Sequence, residues 1–511
     1  MTLPADGPTG RVGRRGVISF RRLRSLHVQA GSDPLRRLPR LARFWKGPLM
    51  SSAPTPPTGK RKRQPCVTPR VVQPHAAGID IGATELYVAL PADRAEVTVR
   101  SFSTFTADLY ELAAWLKQHR LTSVAMESTG VYWIPVFQIL ETCGLEVYLV
   151  NARHVKNVPG RKTDVSDCQW LQYLHSVGLL QASFRPPDAV CAVRALLRHR
   201  AGVVADGARQ IQLMQKSLTQ MNLHVHHVFD DLSGVSGLAI VDALLAGERE
   251  PRVLAKLRQP GTKASEATLI QALTGDPRPE HLFTLRQARA AYGFSREQLR
   301  ACDREIEQYL AGLASQVDPD TNPPPPPRTP AHKARKAEID LPEQDLRTEL
   351  YRLLGTDLTQ IPGLQTSSVC ALLAELGADL KSAFPTDAHF ASWQGLCPNP
   401  KISGGKILRH GTRQVKHRVA TIFRLAAQSL HHSHTALGAF FRRLRAKLGS
   451  PKAITATAHK LARIYYHLAT TRTAYDESVF ARNEELHQQR RLARLRREAT
   501  ELGFDLSLAT P

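Results

Sequence analysis

Long apolar runs and paired cysteines are both missing from this 511-residue sequence. No uninterrupted apolar stretch reaches roughly 18 residues, so no membrane-spanning helix is expected. The seven cysteines are scattered, with no CxxC pair and no group of cysteine and histidine at the spacing of a zinc site. This pattern fits a protein of the reducing cytoplasm whose cysteines are small core residues.

Acidic residues are scarce relative to basic ones. The chain has 69 Lys and Arg against 45 Asp and Glu, a net charge of +24. Residues 1–70 hold 16 of the basic residues and only Asp6 and Asp33 as acids, so the remaining 441 residues carry +10. A polyanionic partner is expected, and nucleic acid is the commonest one. Residues 1–73 show no sustained apolar period and are predicted to be a disordered basic tail, although an organelle transit peptide has a similar composition.

Strand and helix patterns alternate between residues 74 and 185. The runs AGIDIGA, TELYVALPA and AEVTVRSFST predict three strands, and Thr106 is predicted to cap a helix with one apolar face. TSVAMEST and EVYLVNA predict two further strands with an apolar helix between them, and GRKTDVSDCQWLQYLH predicts the start of another helix. Three strands, helix, strand, helix, strand, helix is the order of an α/β ribonuclease H-like domain.

The rest of the chain is predicted to be mostly helical. A run of five prolines cannot be helix or central strand and indicates a linker. The segment DLTQIPGLQTSSVCALLAELG resembles a helix-hairpin-helix, whose glycine turn lets backbone N–H groups approach a phosphate; an ordinary helical hairpin is the other interpretation. The predicted regions are a helical or coiled-coil middle (186–316), a proline-rich linker (317–343), a helical C-terminal unit (344–475) and a charged helical tail (476–511).

Four carboxylates are expected to gather in the ribonuclease H-like domain. Asp80 lies in the middle of the first predicted strand, where an isolated charge is costly unless it binds a cation, and Glu127 ends the fourth strand. Asp164 and Asp167 are three residues apart, on one face of the helix after the fifth strand. In the ribonuclease H-like arrangement these positions converge, and Mg²⁺ or Mn²⁺ would offset their mutual repulsion. Two such ions can act on a phosphodiester.

Two other interpretations of these residues stay open. Asp164 could cap its helix, and Asp167 could interact with the positive end of the helix dipole. Asp80, Gly82 and Thr84 also match the D-x-G-x-T phosphate loop of sugar kinases and actin-like ATPases, which share the fold. Those enzymes need a second glycine-rich loop and an adenosine site in a second half, and no such repeat is recognisable beyond residue 186.

A serine in the C-terminal unit is surrounded by cations. Ser403 is followed by Gly404 and Gly405, which permit close backbone approach. Nearby cations would neutralise a phosphate and lower the cost of forming a serine alkoxide. A flexible loop without a catalytic function is the other interpretation. The candidate nucleic-acid contacts are Arg161 and Lys162 beside the carboxylates, and Lys401, Lys406, Arg409, Arg413 and Lys416 around Ser403, with His410 and His417 close by in sequence.

These motifs resemble the DEDD transposases of insertion sequences, relatives of the Piv-type DNA invertases. The similar blocks are GIDIGATELYVAL, MESTGVYWIP, VNARHVKNVPGRKTDVSDCQWLQYL, IPGLQTSSVCALLAELG and QGLCPNPKISGGK, and the resemblance covers about residues 74–505. It implies a RuvC-like N-terminal domain joined through a coiled coil to a C-terminal transposase domain. It also implies that Asp80, Glu127, Asp164 and Asp167 are metal ligands and that Ser403 is a nucleophile forming a phosphoserine link with DNA.

The resemblance also implies partners. In similar proteins a noncoding bridge RNA pairs with donor and target DNA, and the active site is assembled across subunits, so a guide RNA and a homodimer or tetramer are expected. The leading hypothesis is a Mg²⁺-dependent recombinase that excises and integrates its own insertion sequence in a bacterial cytoplasm. The alternatives are a RuvC-like two-metal nuclease without a covalent intermediate, and a nucleic-acid-binding protein with a decayed site.

Overall fold

A computed structural model describes residues 70–128, 130–151, 164–229, 231–328, 343–409, 411–413 and 415–505. The predicted basic tail up to residue 69 lies outside this described part, as do residues 329–342 of the predicted linker. Val72 and Gln73 already donate backbone hydrogen bonds to the carbonyl oxygen of Ser176, at 2.8 and 2.9 Å. Regular contacts with the fold therefore begin two residues before the predicted boundary.

A five-stranded mixed sheet forms the N-terminal part of the described chain. Its strands are β1 (Ala76–Ile81), β2 (Glu85–Ala89), β3 (Val99–Ser103), β4 (Ser123–Glu127) and β5 (Glu146–Val150). Their order is β3-β2-β1-β4-β5; β2 is antiparallel to β1 and β3, whereas β4 is parallel to β1 and β5. The central strands β1 and β4 are almost wholly buried, as their near-continuous apolar runs require.

Helices cover this sheet: α1 (Thr106–Gln118), α2 (Trp133–Thr142) and α3 (Asp164–Ser176). The core between sheet and helices is mostly aliphatic, with Leu112, Leu116, Met126 and Leu140 fully buried. The sheet and its helices fit the predicted ribonuclease H-like domain.

One predicted cap is wrong. Phe105 occupies the N-cap of α1 without a side-chain capping bond, and Thr106 is already helical. The Ser103 hydroxyl takes the local polar contacts instead, because it accepts from the backbone N–H of Phe105 at 3.2 Å and donates to Asp108.

Two 33-residue helices, α4 (Asp188–Gln220) and α9 (Pro279–Ala311), dominate the middle of the chain. They pack against each other through small residues and a buried ion pair between Arg200 and Asp303. Shorter helices lie between them in sequence and share an apolar core with both long helices: α5 (Val225–Val228), α6 (Val235–Ala246), α7 (Pro251–Ala255) and α8 (Glu266–Ala272).

The C-terminal part is largely helical around a core that contains Phe390, Phe423 and Tyr465. Within the described residues, no helix is long and apolar enough to cross a membrane. The helices of the C-terminal part are α10 (Glu343–Leu354), α11 (Thr366–Leu376), α12 (Asp387–Trp393), α13 (Arg418–Ser429), α14 (Ala436–Leu448), α15 (Ser450–Thr471) and α16 (Ser478–Glu501). This part also contains 3₁₀ turns at Leu358–Gln360 and Leu430–His432 and a hairpin of β6 (Lys401–Ser403) and β7 (Lys406–Arg409).

The helix-hairpin-helix-like segment has the predicted shape but not an open turn. Gly363 adopts a φ of +92°, and a Cβ there would lie 2.7 Å from the carbonyl oxygen of Ala426 in α13. Ile361 and Leu364, on either side of the Pro362-Gly363 turn, are buried. The glycine therefore serves close packing between helices, as the ordinary-hairpin interpretation requires, and the approach of a phosphate to this turn stays a prediction.

The proline run is attached to the C-terminal unit. Arg347 forms a buried ion pair with Asp357 and also donates to the carbonyl oxygen of Pro325. Gln360 Nε2 donates to the carbonyl oxygen of Pro326 at 2.9 Å. The described prolines, which adopt neither helix nor strand as their chemistry predicts, thus follow the surface of the helices after them.

Candidate functional site

Asp80 and Glu127 lie at the same edge of the sheet. The parallel register pairs Ala76 with Ser123 and Ile79 with Met126, so the next residues of the two strands, Asp80 and Glu127, are neighbours. Both residues are half-buried. Because equivalent positions of adjacent strands project to one face, the sheet brings these two carboxylates together at the carboxyl ends of β1 and β4.

Helix α3 reaches this edge through a glycine. A Cβ on Gly78 would lie 2.3 Å from the carbonyl oxygen of Cys168 and 2.3 Å from the backbone nitrogen of Gln172. Only glycine lets the helix backbone come this close to β1. Gln172 Nε2 adds a hydrogen bond of 3.3 Å to the carbonyl oxygen of Ala76. This packing fixes the position of half-buried Asp167, one residue before Cys168.

The negative charges of Asp80 and Asp167 both act on the thiol of Cys168. The pKa of Cys168 is raised to about 11, chiefly by burial and further by the negative charges of these two aspartates. Their carboxylate oxygens are ligands that Mg²⁺ and Mn²⁺ prefer, so the donor chemistry fits a divalent cation. Among the side chains that the structure describes, no three acidic, histidine or cysteine residues come close enough to hold a metal ion. The side chain of Asp164 lies outside those described, as do Arg161 and Lys162.

Ser403 ends the first strand of an exposed β-hairpin. It pairs with Lys406, and Gly404 and Gly405 form the turn with φ values of 54° and 74°. Two consecutive positive φ angles are typical of a type I′ turn, which favours glycine. A Cβ on either glycine would meet no described atom within 4 Å, and every residue of β6 and β7 is exposed. Ser403 therefore lies on paired strands rather than in a flexible loop and is presented to solvent, while its catalytic role stays a prediction.

The hairpin is anchored at its base, and its exposed strands carry both apolar and cationic side chains. Pro398 and Thr412 form an isolated β-bridge, and the Asn399 backbone nitrogen donates to the carbonyl oxygen of Gly411 at 2.7 Å. The exposed apolar side chains are Ile402, Ile407 and Leu408. Three of the predicted nucleic-acid contacts, Lys401, Lys406 and Arg409, lie on these strands and are exposed.

The remaining predicted contacts differ from one another. Lys416 is exposed, whereas Arg413 donates to the carbonyl oxygen of Ser392. Burial lowers the pKa of His417 to about 4, so its ring is neutral at pH 7 and adds no positive charge, contrary to the expectation from residue type. His410 lies outside the described residues.

Sequence reasoning missed a second group of cations. Arg194 and Arg198 are one helical turn apart on α4 and line a cleft together with Arg418 and Arg424 of α13. The spacing of four residues in RALLRHR is a signal that both side chains share one helix face. Their proximity to α13, about 220 residues further along the chain, has no local signal in the sequence.

Two segments of the chain match known protein families. Residues 77–223 match the transposase family DEDD_Tnp_IS110, and residues 355–442 match the family described as Transposase IS116/IS110/IS902 family. The chain carries IS110-family transposase domains. The first domain contains the carboxylate edge of the sheet and the second contains the Ser403 hairpin. These transposase domains indicate a DNA-processing, DNA-binding enzyme. No curated protein matches the chain.

Proposed function

We propose that the chain is a site-specific recombinase that excises and integrates its own insertion sequence, with divalent cations at its carboxylates, Ser403 as nucleophile and a noncoding RNA as guide. The observation that carries the proposal is the pairing of Asp80 and Glu127 at neighbouring strand ends, inside the match to a DEDD transposase family. The solvent-exposed position of Ser403, inside the second match, supports its role as an accessible nucleophile.

Asp80, Glu127, Asp164 and Asp167 would hold Mg²⁺ or Mn²⁺. When bound, the cations would polarise the scissile phosphodiester and offset the charge that develops on it. Asp80 belongs to the central strand, and Asp167 belongs to a helix that packs backbone against backbone on that strand at Gly78. Carboxylates on such rigid elements are held more precisely than carboxylates on loops.

Ser403 would act in two transfers. In the first, Ser403 Oγ gives up its proton and bonds to phosphorus, while the bond from phosphorus to one deoxyribose oxygen breaks and that oxygen takes up a proton. In the second, a deoxyribose hydroxyl of the new partner strand attacks the phosphoserine, and Oγ leaves and regains a proton. The number of phosphodiester bonds is conserved, so no nucleotide cofactor is consumed. Exposed Lys401, Lys406 and Arg409 would neutralise the reacting phosphate.

The charge of the chain and its exposed apolar residues support the guide RNA and the assembly of several subunits. Residues 71–511 still carry +10, which suits a protein that neutralises RNA as well as DNA. The exposed apolar side chains of the hairpin suit burial on DNA or on another subunit, as expected for a homodimer or tetramer.

The test incubates the purified protein with Mg²⁺, a supercoiled plasmid that carries the joined ends of the element, and RNA transcribed from its flanks. A protease-sensitive protein–DNA adduct is expected on a denaturing gel. Ser403→Ala and Asp164→Ala should each abolish the adduct. Ser392→Ala should keep it, because this control removes an exposed hydroxyl outside the hairpin.

An adduct that survives Ser403→Ala would remove Ser403 from the mechanism. Cleavage to free 5′-phosphate ends without any adduct would instead identify a two-metal nuclease. Equal adduct formation with and without RNA would contradict the guide.

A further inference from the structure

A cationic cleft of about 750 Å³ lies between α4, α11 and α13. Its volume is within the range of about 300 to 1,000 Å³ that is typical of ligand sites. Arginines of α4 form one wall, and the start of α13 forms another. The charged lining residues are Arg194, Arg198, Glu375, Lys416, Arg418 and Arg424.

The charges in this cleft do not balance. Glu375 is the single carboxylate among the described lining residues, against five cations. Arg198 forms a bidentate pair with Glu375, with Nε and Nη2 donating to its two oxygens at 3.0 and 2.7 Å. Arg418 Nε lies 4.0 Å from the same carboxylate. Because Arg198 already uses Glu375, the cleft keeps a net charge of +4.

Arg194 lacks a salt bridge to any described carboxylate of this cleft. This residue is half-buried, and burial together with the charge of Arg198 lowers its pKa, while the carboxylate of Glu375 acts in the opposite direction. Its Nη2 donates to Cys191 Sγ at 3.1 Å, a weak acceptor, and no described carboxylate forms a salt bridge with it. A desolvated guanidinium is costly without a charged partner. The environment of Arg194 therefore fits an anion that enters from outside the chain.

The N-terminus of α13 adds to the attraction for an anion. His417 is the N-cap residue, but its side chain makes no capping bond, and the first turn of the 12-residue helix contains no acidic residue. His417 Nδ1 is buried without a hydrogen-bond partner in the described part of the chain. Free backbone N–H groups and the helix dipole both favour an anion at such an end.

The cleft is close to the base of the Ser403 hairpin. Thr412 closes the hairpin base by its bridge to Pro398, and Lys416 follows Thr412 by four residues. Four residues span at most about 14 Å. One short, continuous segment therefore joins the hairpin to the wall of the cleft.

We propose that this cleft binds the phosphodiester backbone of a nucleic-acid strand and leads that strand past the hairpin that carries Ser403. The inference rests on the proposed function for its ligand, since DNA and RNA share this backbone. Cations on both walls suit a run of phosphates, whereas one small anion would leave several of them unpaired.

The test measures the affinity of one fluorescent oligonucleotide sequence, as single-stranded DNA, single-stranded RNA or duplex DNA, at about 50 to 300 mM KCl. EDTA prevents strand cleavage. The variant Lys416→Gln/Arg418→Gln/Arg424→Gln leaves the Arg198–Glu375 pair in place. The control Lys117→Gln/Lys216→Gln/Lys256→Gln removes the same charge at exposed positions outside the cleft.

Each lost phosphate contact should reduce the steepness of the fall of log affinity with log salt by roughly 0.7 for a single strand and 0.9 for a duplex. Three lost contacts should therefore lower it by roughly 2 to 3. They should weaken binding at about 0.15 M salt roughly 50-fold for a single strand and roughly 170-fold for a duplex. The probe whose slope changes by the amount expected for its own strand type identifies the occupant. A slope equal to that of the control with all three probes would overturn the proposal.

For Glu375→Gln we expect the opposite change in affinity. The amide keeps the shape of the side chain and can still accept from Arg198, while the cleft gains one positive charge. Tighter binding with a steeper salt slope is expected, and a folding defect could not produce it; unchanged or weaker binding would contradict the proposal. A bound strand should also protect Lys416 from acetylation and leave exposed Lys256 reactive.

The experiments distinguish the proposal for the cleft from the proposal of recombinase activity. Ser403→Ala should bind the probes with the parental slope. Adduct formation by the parent, with a cleft variant that binds like the control, would overturn the cleft and leave the recombinase standing. A reduced slope in the cleft variant, with no adduct from the parent, would do the reverse.

Discussion

Gly78→Ala should loosen the helix that carries two of the proposed metal ligands. The new Cβ would lie 2.3 Å from the Cys168 carbonyl oxygen, 2.3 Å from the Gln172 nitrogen and 2.9 Å from the Gln172 Cα. Ordinary contacts need about 3.4 Å or more, so α3 must move away from β1 by about 1 Å. All three atoms belong to the backbone, and rotation of a side chain cannot relieve the clash.

The expected cost is about 1 to 3 kcal/mol, the range for overpacking a well-packed core. Hydrogen exchange of the peptide covering residues 164–176 should report it as faster exchange across α3. A displacement of about 1 Å at Asp167 relative to Asp80 should also lower strand cleavage on the order of 100-fold. The loss of rate should therefore exceed what the fraction of unfolded protein explains.

Gly202→Ala is the matched control. Gly202 is exposed within α4, and a Cβ there would meet no described atom within 4 Å. Alanine in an exposed helix interior should stabilise the protein by about 1 kcal/mol and leave cleavage unchanged. If Gly78→Ala exchanged and cleaved like the parent, the close approach of α3 to β1 would not be what positions the carboxylates.

Two further predictions concern buried charge. Burial lowers the pKa of His175 to about 4, and its Nε2 contacts Ser123 Oγ at 3.0 Å, so the unfolded chain binds the extra proton first. Stability should fall by about 3 kcal/mol as pH drops from about 6.5 to about 4, and pH-dependent denaturation of His175→Gln should lack this part of the loss. Asp303→Ala should cost about 3 to 5 kcal/mol in the same assay, because it removes the carboxylate of the buried ion pair with Arg200, whereas Arg200→Leu/Asp303→Leu should recover most of that loss.

The positions of Asp80 and Glu127 on the sheet could be predicted because they depend on local pattern. Apolar alternation gives each strand, a turn residue gives its end, and the order of strands and helices gives the neighbours. The role of Gly78 could not be read in this way. Gly78 and Gly82 lie in one short run, yet a Cβ on Gly82 would approach Glu85 in its own turn, whereas a Cβ on Gly78 would enter a helix from another part of the chain.

The hairpin and the cleft show what residue type alone predicts poorly. Two glycines between strand-forming residues are the signal of a type I′ hairpin, but strands this short and rich in cations have a weak strand pattern. Residue type allows His417 to be a cation, but Trp393 packs against its ring at 4.2 Å between centroids, and the resulting burial keeps it neutral. Such contacts depend on tertiary packing, which the local sequence does not encode.

The two halves of the proposed chemistry are supported by different kinds of structure. The carboxylates depend on a core strand and a helix in backbone contact, so changes beneath them should alter stability and rate together. Ser403 depends on a hairpin that is anchored at its base and exposed along its strands. Ser403→Ala should therefore change stability by no more than about 0.5 kcal/mol, as is usual for exposed sites, while it abolishes the adduct. A loss of adduct with unchanged unfolding can then be assigned to the hydroxyl itself.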